Sequence, residues 1–241
     1  MPFTIAHPAI ILPLRKRGSI LSTTGLIIGS MIPDLEYFIQ MREVENLGHQ
    51  WYGRFLFDMP MAILFAFLFH NLLRDPLLLN LPNAYKKRFI HNIEFDWNTN
   101  IKNNKGPFLI STFIGVISHL MWDSFTHHDG FIVESISALS KNIIILEYSV
   151  PIYFLLQIVF SLLGLAFVHL QIMRMPISNK KFKSKIDYGY WMVFILLFFT
   201  IISVRIILWP EYNTFGGIAI AIMGSIFYSW ISVSIIFIKL K

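Results

Sequence analysis

A histidine and an aspartate lie four residues apart near the end of an apolar stretch, at His119 and Asp123. This spacing advances about 400° around an α-helix, so both side chains, and His127 after them, would follow one helix face. Imidazole and carboxylate groups bind zinc, manganese and iron. Ionisable side chains within a bilayer are costly, and they usually serve a function there. The pattern therefore predicts metal ligation by His119 and Asp123. Alternatively, His119 hydrogen-bonds a neighbouring helix and Asp123 caps the following turn.

Two further acids follow the short apolar segment that ends at Pro33. Asp34 comes directly after this proline, and Glu36 two residues later. A carboxylate at this place could complete a metal site or act as a general base. Asp34 is equally suited to cap a helix that starts at Leu35.

The remaining candidates are three histidines and one aspartate. His7 lies in apolar surroundings and can reach the site only if the N-terminal segment folds back beside residues 20–33; otherwise it is a core histidine. His49 is a ligand or a solvated loop residue. Asp58 could orient a ligand histidine or cap the apolar helix that it begins. His127, about 12 Å along the helix from His119, could bind a second metal or substrate, or neither.

Composition indicates a membrane protein. Of 241 residues 55% are hydrophobic and only 14% charged, and the mean hydropathy is +0.60; soluble domains carry about 25% charged residues. The absence of cysteine excludes disulfides, thiolate zinc sites and cysteine nucleophiles. Despite the net charge of +6, nucleic-acid binding is not expected, because the basic residues cluster in short segments between apolar runs.

Apolar runs predict an all-α bundle of about five full transmembrane helices, since about 20 residues cross the hydrocarbon. The predicted spans are Phe55–Leu73, Pro107–Thr126, Pro151–Met173, Tyr190–Trp209 and Gly216–Ile238. One or two short helices are expected within Pro2–Leu14 and Ile20–Pro33, where Gly25, Gly29 and Ser30 provide a small-residue face for close packing. We predict a single membrane domain over residues 1–241. Residues 1–128 would carry the polar site, and residues 129–241 an apolar scaffold whose main exception is Arg205.

Basic residues predict the orientation in the membrane. Sixteen lysines and arginines fall in segments that would lie on one side, against three on the other. Positively charged loops stay in the cytoplasm, so the C-terminus is predicted to be cytoplasmic. The polar candidates, Asp34, His49, Asp58, Asp123 and His127 among them, would then gather near the extracytoplasmic face.

Four ordered motifs resemble those of the DUF4184 family of bacterial integral membrane proteins; they lie in Met1–Arg15, Ile28–Phe38, Gly48–Pro60 and Ser118–His127. This resemblance implies a location in the bacterial inner membrane. More distantly, the chain is similar to YdjM-type membrane-bound metal-dependent hydrolases and to zinc-dependent phospholipase C proteins. The distant similarity implies one divalent metal, zinc first, then manganese or iron, surrounded by His7, Asp34, His49, His119 and Asp123.

These observations together predict a membrane-embedded metal-dependent hydrolase, acting on a phosphoester or lipid-related substrate near the extracytoplasmic interface. Asp34 or Glu36 would accept a proton from the water that the metal activates. Two alternatives stay open at this point. The same side chains could form a non-catalytic network that locks the helices together, or the path of a proton- or cation-coupled transporter.

Overall fold

The computed structural model describes residues 4–14, 20–43, 47–178 and 186–238. Within these ranges the chain is predominantly helical, and four helices are long and apolar enough to cross a membrane. They are Arg54–Asn80, Ile152–Met173, Tyr188–Leu208 and Phe215–Phe237. The predicted all-α membrane bundle is confirmed.

The fifth predicted span differs from the other four. Residues Lys105–Asp123 form a helix of 19 residues, about 28 Å long, but it is not among the four apolar candidates. Polar side chains explain the difference, because Ser111, Thr112, His119 and Asp123 lie on its buried face. This helix therefore supplies polar groups to the interior instead of a uniformly apolar surface.

Element bounds follow the apolar segments of the sequence. In chain order the helices are α1 (Pro8–Ile11), α2 (Thr23–Gly29), α3 (Leu35–Gln40), α4 (Met59–Leu68), α5 (Arg74–Asn80), α6 (Asn83–Phe89), α7 (Trp97–Asn103), α8 (Lys105–Asp123), α9 (Phe131–Ser135), α10 (Ile152–Met173), α11 (Tyr188–Leu208) and α12 (Phe215–Phe237). A wider π-type turn at Arg54–Asp58 precedes α4, and a second one at Phe69–Leu73 joins α4 to α5, so that Arg54–Asn80 is one long helix. Short 3-10 turns include Ile32–Asp34 and Leu47–His49.

Two short strands, absent from the sequence prediction, precede α10. Strand β1 (Asn142–Ile145) pairs antiparallel with β2 (Tyr148–Pro151), and a two-residue turn at Leu146 and Glu147 joins them. Both turn residues have positive φ, 47° and 71°. This turn lacks the Asn-Gly or Asp-Gly pair that signals such a hairpin in a sequence, so the prediction missed it.

The chain divides into two compact units that alternate along the sequence. The first comprises Met1–Asp34, Asn46–Ala62 and Gly106–His169, and the second Leu35–Glu45, Ile63–Lys105 and Leu170–Lys241. The prediction of a single membrane domain stays a prediction.

In the first unit, α2 and α8 pack with their backbones in close contact. A Cβ atom added to Gly29 would lie 2.1 Å from the Thr112 carbonyl oxygen, and one added to Gly115 would lie 2.6 Å from that of Leu26. Ser22, which caps α2, also donates its backbone N–H to the Ser111 hydroxyl at 2.7 Å. The predicted small-residue face is therefore confirmed as the surface that α8 contacts.

The second unit contains a buried arginine that α11 contributes. Arg205 is 1% exposed, and its guanidinium donates to the carbonyls of Met41 (2.8 Å) and Tyr212 (3.1 Å) and to the Asn213 side chain (2.5 Å). One side chain thus joins the end of α11 to the turn before α12 and to the residue after α3. Arg205 is a structural element of this unit.

Much of the basis for the orientation prediction lies outside the described residues. Arg15, Lys16, Arg17, Lys180, Lys181, Lys183, Lys185, Lys239 and Lys241 all fall there. The apolar helices indicate a protein embedded in a lipid bilayer, whereas the cytoplasmic placement of the C-terminus stays a prediction.

Candidate metal centre

Two histidines and two aspartates converge inside the first unit. Asp34, His49, His119 and Asp123 each offer one ligand atom, and these four atoms lie within 4.8 Å of one another. Asp34 and His119 are fully buried, Asp123 is 6% exposed, and the His49 side chain is 29% exposed. Such a buried group could hold one metal ion.

The distances between the ligand atoms fit a single ion. His119 Nε2 lies 3.2 Å from Asp123 Oδ2 and 3.5 Å from Asp34 Oδ1. His49 Nε2 lies 3.3 Å from the same Asp123 oxygen and 3.9 Å from the same Asp34 oxygen. Four donors arranged tetrahedrally about 2.1 Å from an ion would lie about 3.4 Å apart. These four separations, 3.2 to 3.9 Å, surround that value, and the other two are at most 4.8 Å.

The neighbours of His119 determine which of its nitrogens is free. Nδ1 lies 2.9 Å from the Ser30 carbonyl oxygen, which can only accept a hydrogen bond, so Nδ1 carries the proton in the neutral ring. The lone pair of Nε2 then points towards the carboxylates of Asp34 and Asp123. Neither His119 Nε2 nor Asp34 Oδ1 makes a hydrogen bond among the described residues, although both atoms are buried. A lone pair facing two carboxylates is unfavourable unless a positive charge lies between them.

Asp34 is held by a residue that the sequence analysis did not select. The Thr4 hydroxyl donates to Asp34 Oδ2 at 2.5 Å, and both residues are buried. Burial opposes ionisation, but a positive charge on His119 outweighs it and lowers the pKa of the Asp34 carboxyl to about 2. A positive charge beside Oδ1, on the ring or on a bound ion, thus keeps Asp34 an anion at neutral pH.

His7 reaches the metal group because the N-terminal segment folds back within the first unit, where Thr4 contacts Asp34. Its Nδ1 lies 3.2 Å from the Thr4 carbonyl oxygen, and its Nε2 lies 3.1 Å from Asp123 Oδ1. The His7 ring stacks on that of His119, with centroids 4.1 Å apart and planes 16° apart. It thus contacts the Asp123 oxygen that lies outside the four-atom group, a position that orients this carboxylate. Its predicted role as a ligand stays a prediction.

Asp58 is buried beside the group. It is fully buried, neither carboxylate oxygen makes a hydrogen bond among the described residues, and its charge interacts with those of His49 and His119. The alternative that Asp58 caps the helix is not observed, because the π-type turn begins after Gly53 and includes Asp58 as its last residue. Its predicted place around the ligands or the substrate stays a prediction.

His127 lies beside Asp123, not farther along the same helix. Helix α8 ends at Asp123, and the chain turns so that His127 Nδ1 lies 3.6 Å from Asp123 Oδ1. The Gln157 amide lies 3.1 Å from His127 Nε2, which suits a donated bond to a neutral ring. Burial lowers the pKa of His127, in agreement with this neutral form. The helix that the expected separation of 12 Å from His119 assumed thus ends at Asp123, four residues before His127. The predicted role of His127 near substrate or ligands stays a prediction.

Glu36, predicted as a proton acceptor together with Asp34, belongs to the second unit. It lies on α3 and accepts a hydrogen bond from the Gln40 side chain at 3.1 Å. It is not one of the four grouped residues. Its catalytic role stays a prediction.

Comparison with known proteins identifies the family. A family model described as a domain of unknown function, DUF4184, matches residues 1–238. The chain belongs to the DUF4184 family. No curated protein and no solved structure matches it, and the more distant YdjM-type similarity is not confirmed.

The motifs that carry the DUF4184 resemblance contain His7 and all four residues of the metal group, Asp34, His49, His119 and Asp123. The same stretches contain Thr4 and the Ser30 carbonyl, whose roles the sequence did not reveal. Thr4 lies three residues before His7, a spacing that places both on one side of a helical turn. A backbone carbonyl leaves no trace in the residue type, so the role of Ser30 required coordinates.

Proposed function

We propose that this DUF4184 protein is a membrane-embedded, metal-dependent hydrolase whose ion is held by Asp34, His49, His119 and Asp123. The supporting observation is the buried pair of Asp34 Oδ1 and His119 Nε2, 3.5 Å apart and without hydrogen bonds among the described residues. Two imidazoles and two carboxylates suit zinc, and also manganese or iron. When bound in such a site, a divalent ion acts as a Lewis acid and brings the pKa of water towards neutrality.

The residues that surround the four ligands have separate roles in the proposed site. Thr4 holds Asp34 through one oxygen, and His7 holds Asp123 in the same way, which leaves one oxygen of each carboxylate directed inward. Ser30 sets the tautomer of His119. Such outer contacts orient ligands and raise metal affinity. Asp58, with both oxygens free of hydrogen bonds among the described residues, is a carboxyl group that could take up a proton within the site.

The positions along α10 at which the neighbours of the metal group make contact support a lipid-related substrate. Gln157 contacts His127, and Phe160 and Gly164 contact Trp122, the neighbour of Asp123. These three residues lie five to twelve positions into α10, about 8 to 18 Å from its start. A hydrocarbon core is about 30 Å thick, so these contacts support a site below the membrane surface if α10 crosses the bilayer. An amphiphile with a phosphoester head group can reach such a site from the bilayer, and His49 is the most exposed member of the group.

Metal analysis of the purified protein tests the first half of the proposal. We expect about one zinc, manganese or iron ion per chain. Asp34→Asn and His119→Gln should lose most of it, because each removes an inward-facing donor. His128→Ala is the matched control, since the His128 side chain is 78% exposed and pairs with Asp129 in the same turn. Release of head groups or phosphate from lipid vesicles, followed by mass spectrometry, then tests hydrolysis.

A helix-locking network is the second candidate, because hydrogen bonds do join separate segments here. Thr4 bonds to Asp34, Ser30 to His119, and His7 to Asp123. If that network is the whole function, the wild type binds no stoichiometric metal, and Asp34→Asn and His119→Gln only lower thermal stability. This result would contradict the hydrolase proposal.

A further inference from the structure

The hairpin β1–β2 presents a row of exposed apolar side chains. The strand pairing places Ile143 opposite Val150 and Ile145 opposite Tyr148 on one face, and Tyr148 is 76% exposed. Ile144 on the other face is 82% exposed, and Leu146 at the tip 87%. A continuous apolar surface of this kind on a short, isolated hairpin is unfavourable in water and marks a contact surface.

The turn residues point to the same conclusion. Leu146 and Glu147 both adopt the left-handed backbone conformation, which side chains with a Cβ atom adopt at a cost and which Asn-Gly would adopt more readily. The hairpin nevertheless has leucine at its most exposed position. A preference for an apolar contact at the tip explains why this position is not occupied by a residue better suited to the turn.

The base of the hairpin is fastened to the first turn of an apolar, membrane-length helix. Ile152 N–H donates to the Lys141 carbonyl at 3.0 Å, and Tyr153 N–H donates to the Leu139 carbonyl at 2.9 Å. These bonds satisfy two of the four backbone donors that a helix start leaves open. Strands of four residues reach about 13 Å. The tip therefore stays within about 13 Å of the point where α10 enters the apolar core, a distance that includes the head-group layer.

We propose that this hairpin, residues 142–151, inserts its exposed apolar side chains, with Ile144 and Leu146 foremost, into the head-group and acyl boundary of the membrane that α10 crosses. Its occupant is lipid, because the helix that directly follows it, α10, is apolar and long enough to cross a membrane and exposes Val159, Leu162 and Leu163. Few charges oppose this placement: Glu147 is the only charged residue between positions 142 and 151, and Lys141 lies at the base of the hairpin. The hairpin would anchor the segment that connects the metal group to α10.

Site-directed spin labelling tests this proposal without regard to metal or hydrolysis. The chain has no cysteine, so Ile144→Cys and Leu146→Cys each give one labelled site in the full-length protein. In phosphatidylcholine liposomes, both labels should collide with oxygen several-fold more, relative to a water-soluble nickel chelate, than a label at Asp129→Cys. Asp129, in an adjacent polar turn of the same unit, is 73% exposed and serves as the matched control.

Two outcomes would overturn the proposal. If the labels at 144 and 146 behave like the label at 129, the hairpin extends into water. If they are shielded from both oxygen and the nickel chelate, the hairpin contacts protein, such as a second copy of the chain.

A double change, Leu146→Asn with Glu147→Gly, should favour the turn and still reduce the lipid exposure of a label at 144. Unchanged lipid exposure would mean that Leu146 does not anchor the hairpin. Unaltered unfolding temperatures in detergent confirm that each variant is folded.

Discussion

Replacing Gly29 by alanine should disturb the metal group, although Gly29 is not part of it. The added Cβ would lie 2.1 Å from the Thr112 carbonyl oxygen and 2.9 Å from the Thr112 Cα. These are backbone atoms of α8 and cannot rotate away, so α2 and α8 must separate. Ordinary contact begins at 3.4 Å, which implies a local displacement of about 1.3 Å.

A displacement of this size exceeds the positional error that a metal site tolerates in its ligands. Ser30 directly follows Gly29, and its carbonyl accepts from His119 Nδ1 at 2.9 Å. If the full shift reached Ser30, that bond would stretch beyond about 4 Å and no longer hold the ring. Metal ligands need placement within about 0.5 Å, and loss of an orienting partner lowers metal affinity about 10- to 100-fold. We therefore expect at least a tenfold weaker metal affinity in Gly29→Ala.

The cost in folding free energy follows from the same geometry. Overpacking costs about 1–3 kcal/mol, and the lost hydrogen bond about 1 kcal/mol. Alanine returns about 0.5–1 kcal/mol through its better helix propensity. The net loss of about 2 kcal/mol corresponds to a fall of roughly 4–8 °C in unfolding temperature for a chain of this size.

Gly106→Ala is the control, because a Cβ at Gly106, near the start of α8, would meet nothing within 4 Å. This variant should keep its metal affinity and be as stable as the wild type, or slightly more stable. Competition with a chromogenic chelator measures affinity, and scanning fluorimetry in detergent measures stability. If Gly29→Ala matched Gly106→Ala in both measurements, the close packing of α2 on α8 and its role in positioning His119 would be refuted.

Two further substitutions test, respectively, the hydrogen bond that holds Asp34 in the metal group and the buried arginine that stabilises the second unit. Thr4→Val removes the hydroxyl that donates to buried Asp34, so we expect a 10- to 100-fold weaker metal affinity and a loss of about 1–3 kcal/mol; Thr4→Ser should restore both, and failure of this rescue would argue against the hydrogen bond. Arg205→Lys should lower the free energy of unfolding by about 2–4 kcal/mol, since one ammonium cannot serve the carbonyl and amide acceptors of a fork-shaped guanidinium. Arg205→Lys should keep its full metal content, because no residue of the metal group lies in the second unit, and loss of metal would contradict this assignment.

The sequence allowed the membrane bundle to be predicted, because apolar runs of about 20 residues have few other uses. Their bounds agree closely with the structure: Pro151–Met173 was expected and Ile152–Met173 is observed. Helix α8 was expected to be a fifth apolar span, yet its polar face excludes it from the four candidates. The hairpin was missed because a Leu-Glu turn carries no sequence signal.

For the candidate site, the sequence determined the residue types and one local pairing. The four-residue spacing of His119 and Asp123 fixes them on one turn of α8, where a helix alone brings Nε2 and Oδ2 to 3.2 Å. The convergence with Asp34 and His49 depends on contacts between segments 70 or more residues apart, and His7 meets Asp123 across 116 positions. Such contacts arise from the packing of backbones, here through Gly29 and Gly115, and no local periodicity encodes them. Tertiary structure alone decided which oxygen of each carboxylate turns inward and which nitrogen of His119 stays free.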